Sequence, residues 1–456
     1  NVDGHGNNTA IGHQAGLAVT TGVKNTIIGS SAGGGLTTGN YNTALGYNAL
    51  GTEDGNGRNI AIGYNALATQ NAGADAYNTA IGYQAGVAVT TGSQNTILGG
   101  LAGDALTTGN YNVAIGYQAL STEDAHGANV AIGANALLTL DAGADGFNIA
   151  IGHDAGKLMS TGVRNTIMGG LAGDALTTST NNVLLGYEAG TNATIGNSNI
   201  AVGFQALYAN VAGDRNVAVG TGALTFMTSA STADTYNVAV GYQAGGAVTS
   251  GTNNTIMGGL AADALTIGHN NIAIGYKALS TSVDGDYNVA IGYAALEDYE
   301  DGDGNGHNTA IGSSSQTNAS TGEFNTSLGS LSMGVGVTTG DNNVAIGYTA
   351  GEDLTSGHSS VLIGSGAGQQ LTTGIKNVAV GALALNVENA HGLNVAVGYA
   401  ALYTLDAGAD GYNTAVGYTA GLSVSTGTLN TLIGGLAGDA LTTGSGSVAL
   451  GYNALG

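Results

Sequence analysis

Asn78-Thr79-Ala80-Ile81-Gly82, Asn95-Thr96-Ile97-Leu98-Gly99 and Asn112-Val113-Ala114-Ile115-Gly116 are successive copies of one five-residue motif, 17 residues apart. Each copy runs Asn (twice Ser), a β-branched residue, a small or aliphatic residue, an aliphatic residue, then Gly. The motif recurs twenty-six times, from Asn8-Thr9-Ala10-Ile11-Gly12 to Ser447-Val448-Ala449-Leu450-Gly451, with a few spacings of 18 to 21. A short period held from end to end describes a stack of near-identical turns, each touching only its neighbours. Five-residue strands alternating with turn-rich segments predict an all-β fold, a parallel β-solenoid or β-roll of about 26 coils. No composition break interrupts residues 1–456, which predicts a single continuous repeat array, a segment of a longer chain.

Counting each coil from its Asn as position zero, positions one and three share one side of a strand and position two the other. Positions one and three are always β-branched or aliphatic, so they are expected to fill the lumen. Position two, usually Ala, is then expected to face outward against a second chain, because a strand apolar on both faces is usually covered on both. The Asn residues (Asn8, Asn25, Asn42, Asn59, Asn78, Asn95 and onward) are expected to stack as an amide ladder. Gly12, Gly29, Gly46, Gly63, Gly82, Gly99 and their successors mark a turn or a close backbone approach at position four. Position eight alternates, two coils with Gly (Gly16, Gly33) and two with Leu (Leu50, Leu67), giving a four-coil super-repeat. The Leu coils continue into acidic loops such as Thr122-Glu123-Asp124.

Composition narrows the function. Thirty acids against seven bases leave a net charge of −23, with no basic cluster to neutralise phosphates, so nucleic acid is not an expected partner. There is no Cys for disulfides or thiolate metal sites, and no apolar run long enough to insert in a membrane. The eight His are scattered along the chain without the close pairing of a zinc or proton-relay site. No catalytic constellation stands out, so an enzyme is not expected. Asp301, Asp303 and Asn305 space oxygen ligands as the start of a calcium loop does, but Gly312 stands where that loop needs its Glu. Calcium is the one cofactor the chain suggests, and otherwise none is expected. Tyr47, Tyr64, Tyr83, Tyr117, Tyr242 and Tyr418 share position five and are expected to form an aromatic stripe for surface contact, with glycans as possible ligands.

Asn78-Thr79-Ala80-Ile81-Gly82-Tyr83-Gln84-Ala85-Gly86 and its relatives resemble the head repeats of trimeric autotransporter adhesins, and similar repeats in marine phage tail fibres and bacterial surface fibres. The likeness covers nearly the whole chain, although these coils are longer than the family's. It implies a left-handed parallel β-roll, a side-by-side homotrimer, and an extracellular place on a virion or cell surface. The expected function is a structural fibre or filament giving reach and attachment, with end-to-end stacking possible. The alternative is a cell-surface adhesin or an ice-binding module.

Overall fold

The computed structural model describes residues 6–229, 234–300 and 306–456. The fold is all-β, a parallel β-solenoid carrying 26 strands at roughly 17-residue spacing. It forms two compact units, residues 1–234 and 235–456. The first holds β1 (Thr9–Ile11) to β13 (Val217–Val219) and the second β14 (Val238–Val240) to β26 (Val448–Leu450). Within each unit a strand pairs in parallel with the next one in sequence, position matched to position. Thr79, Ala80 and Ile81 thus face Thr96, Ile97 and Leu98.

The strands are three residues long, not five, because both ends of the motif do other work. The Gly at position four turns the chain with φ between 121° and 145° in every coil. A Cβ at Gly203 (φ 136°) would sit 2.6 Å from the carbonyl oxygen of Gly220, so the backbones of neighbouring coils close on each other there. The Asn at position zero points inward. Asn95 Oδ1 accepts from the Asn112 N–H at 2.9 Å, and its Nδ2 donates across the coil to the Gly109 carbonyl at 2.9 Å. The expected ladder is therefore made mainly of amide-to-backbone bonds from coil to coil. Ser360 keeps half of the device, its Oγ accepting from the Asn377 N–H at 3.2 Å.

This geometry reverses the expected faces. Position two fills the lumen: Ala80, Ile97 and Ala114 are fully buried. Positions one and three face outward, as in Ile60 (39% exposed) and Leu45 (41%). The reason is parity. An inward Asn at position zero places position two inward and positions one and three outward. The narrow lumen accepts Ala, and the β-branched side chains stand on the outer face of the sheet.

The four-coil super-repeat is a volume exchange within that lumen. Gly16 (φ 58°) and Leu50 (φ 53°) adopt the same left-handed conformation, so position eight does not change the path of the chain. Leu50, Leu67, Leu120 and Leu137 fill the lumen over Ala at position two. Where position eight is Gly, larger side chains take its space: a Cβ on Gly86 would meet Ile97 Cδ1 at 2.9 Å, and one on Gly103 would meet Leu106 Cδ1 at 2.8 Å. Interiors tolerate little volume error. Polar exceptions are also grouped. Ser315, in place of the usual Ala, bonds Ser327 (2.6 Å) and Ser332 (3.2 Å) in one buried cluster.

Two substitutions test this scaffold. Gly203→Ala should destabilise the chain by about 3 kcal/mol or more, whereas Gly73→Ala, in a left-handed residue with open space around it, should cost about 1 kcal/mol. Denaturant melts of the two variants separate backbone contact from conformation. Asn95→Ala strands a buried N–H and a buried carbonyl and should cost about 2–4 kcal/mol in the same melts, with Asn95→Ser recovering roughly half.

Candidate functional surfaces

The outer strand face is continuous in chemistry. Positions one and three carry only Thr, Val, Ile, Leu or Met in all 26 strands, so no charge interrupts it. The paired Thr residues at the next corner are engaged elsewhere. The Thr37 hydroxyl donates to the Asp54 carbonyl (2.9 Å) and that of Thr107 to the Asp124 carbonyl (2.8 Å), tying coil to coil.

Position five forms an exposed aromatic column in short runs. Tyr47, Tyr64 and Tyr83 stack with centroids 5.2 and 5.4 Å apart, and Tyr399 stacks on Tyr418 at 5.4 Å. Tyr117 and Tyr242 are equally exposed, but Gly100 and Ala134 flank the first and Gly259 follows the second, so the stripe breaks there. Beside the Tyr399–Tyr418 pair, Tyr403, Leu383 and Leu422 complete an open groove of about 310 Å³.

A second outward column was not anticipated from the sequence. The residue before each Asn is left-handed, with φ 60° at Tyr41, 66° at Arg58 and 56° at Tyr77. This turn directs its N–H to the preceding coil, as Tyr41 N–H does to the Val23 carbonyl (3.1 Å). The side chains stack outside. Arg58 lies between the Tyr41 and Tyr77 rings at 5.5 and 5.4 Å, and His307 lies between Tyr287 and Phe324 at 4.8 and 5.1 Å. Aligning coils one place ahead of the Asn reveals the signal, since Tyr111, Phe147, Tyr236 and Tyr412 share it.

Acidic corners form the third feature. Glu53, Glu123 and Glu388 share position eleven and are fully buried. Each carboxylate accepts a backbone N–H three residues on: Asn56 at 3.2 Å, His126 at 3.1 Å and His391 at 3.0 Å. Burial pushes all three carboxyls above the usual Glu range, against those hydrogen bonds. The His residues are therefore not all isolated. His126 lies with Glu123, Asp124 and Asp141, and His391 with Glu388 and Asp406, their ligand atoms within 4.8 Å of one another. The His remain unpaired with one another in these groups, but the coil brings acids 15 to 18 residues apart in sequence beside them. The calcium-loop candidates Asp301, Asp303 and Asn305 lie outside the described residues.

A scan of protein-family models finds no match to this chain, and a search of curated proteins finds none. Among the described residues, no helix is long and apolar enough to cross a membrane.

Glu53 provides a pH test. A carboxyl raised in the folded state stabilises most at low pH and loses that contribution as pH rises through its folded pKa. Glu53→Gln should therefore gain stability relative to the parent chain between pH 4.5 and pH 7. Paired thermal melts across that range check the sign. Gln70, buried at the same position of the following coil, shows that the substituted side chain fits.

Proposed function

We propose that this chain is a structural, self-associating segment of an extracellular fibre or appendage on a virion or cell surface. The carrying observation is the uncharged outer strand face. In the first unit it is thirteen strands long and two side chains wide, roughly 400 Å² at about 4.8 Å per strand. The face is largely aliphatic, with Thr at position one in six of those thirteen strands; exposed apolar area of this order marks interaction surfaces, and parallel sheets are usually covered on both faces. A second copy of the chain offers the same face, and the repeat's resemblance to trimeric heads favours three copies side by side. The aromatic columns and the groove at Tyr403 suit repeated weak contacts with glycans, which multivalency would strengthen. Engagement of the paired Thr hydroxyls between coils favours a fibre over an ice-binding face.

Light scattering after size exclusion tests the assembly. The expected mass is near three times the 44.3 kDa of one chain. Leu98→Lys with Ile115→Lys places charge on the outer face and should shift that mass to one chain while far-UV circular dichroism stays unchanged. A single-chain mass for the unsubstituted protein would overturn the proposal.

A further inference from the structure

We propose that the Glu123–His126–Asp141 and Glu388–His391–Asp406 corners each bind one divalent transition-metal cation through an imidazole nitrogen and two carboxylates. His126 Nδ1 lies 3.4 Å from Glu123 Oε1, and His391 Nδ1 lies 3.5 Å from Glu388 Oε1. Both nitrogens are shielded from solvent and make no hydrogen bond. With the imidazole protonated each contact is an ion pair; with it neutral, the shielded nitrogen and the facing carboxylate oxygen are spaced as two ligands of one ion are. The Glu is held ready by the scaffold. Glu123 accepts from the His126 and Ala142 N–H groups (3.1 and 3.3 Å), and Glu388 from those of His391 and Ala407 (3.0 and 3.4 Å). Such orientation of a ligand by neighbouring hydrogen bonds is a recurring feature of metal sites. The same construction appears in both compact units.

A third corner separates folding from binding. Glu53 keeps the buried carboxylate and its bond to the N–H three residues on, but Asn56 replaces the His and Asn71 the Asp. The corner thus folds with neutral amides at both places. His and Asp occur together in two corners and are absent together in the third, as expected if they serve one ligand. Asn389 stands where Asp124 joins the first cluster, so Glu, His and Asp are the shared set.

The donor set points to the class of ion. One imidazole with two carboxylates suits Zn²⁺ or Mn²⁺, whereas Ca²⁺ takes six to eight oxygen ligands. Asp141 and Asp406 are exposed, which leaves the remaining positions to water. Because the Asp comes from the coil after the Glu and His, the ion would staple adjacent acidic loops. This inference is independent of the oligomeric state.

The test is calorimetric titration of the full chain, stripped with EDTA, with ZnCl₂, MnCl₂ and CaCl₂. We expect two sites per chain for Zn²⁺ or Mn²⁺, at least tenfold tighter than for Ca²⁺. His126→Asn with Asp141→Asn should leave one site, and adding His391→Asn with Asp406→Asn should leave none. These substitutions copy the third corner, so circular dichroism and the melting temperature in EDTA should match the parent. Absence of saturable binding, preference for Ca²⁺, or a stoichiometry unchanged by the four substitutions would overturn the proposal.

Discussion

Within each compact unit most coils are tied to the next by a buried Asn whose carboxamide oxygen takes the backbone N–H at the start of the following coil, as between Asn78 and Asn95 at 2.9 Å. Its amide nitrogen reaches across the same coil to a carbonyl, as Asn78 does to Gly92 at 2.7 Å. Buried backbone groups need partners, and in coils such as those of Asn78 and Asn95 this one side chain supplies two. The bond also sets direction. With the Asn inward, alternation places one small residue in the lumen and two larger ones outside. The Gly at position four then turns the chain where backbones meet too closely for a side chain.

Volume is the second constraint. The lumen has limited room at each level, and the chain fills it with large aliphatic groups from different positions in different coils. Leu120 fills it from position eight, whereas Ile97 and Leu106 fill it when position eight is Gly103. The backbone is left-handed at position eight in both cases. The alternation therefore reflects packing and leaves the coil path unchanged. The serines at 315, 327 and 332 obey the same rule in polar form, each finding a partner among the others.

A repeated coil turns any outward residue into a column. The Tyr41–Arg58–Tyr77 run and the Tyr47–Tyr64–Tyr83 run are two columns on one scaffold, and the uncharged strand face is a third surface. The corners are where individuality enters, because their loops vary in length and acidity. There a buried Glu, set by the coil, gathers residues supplied by the next turn.

The amino-acid sequence alone determined the parallel solenoid, its period and its Asn and Gly columns, because these are local rules repeated at a constant interval. It also marked position five as an aromatic column, since one residue type at one place in the repeat must align. Only the tertiary structure decided which face of the strand is inside. Alternation separates two faces without naming them, and apolar residues occupy both; the two bonds made by the Asn break that tie. It likewise decided that position eight concerns volume, because Gly suggests a turn until Leu50 is seen with the same φ. The clustering of Glu123, His126 and Asp141 was hidden for a related reason. Spacing along the chain carries no proximity until the rise and path of a coil place position twelve of one turn beside positions eleven and fourteen of the turn before.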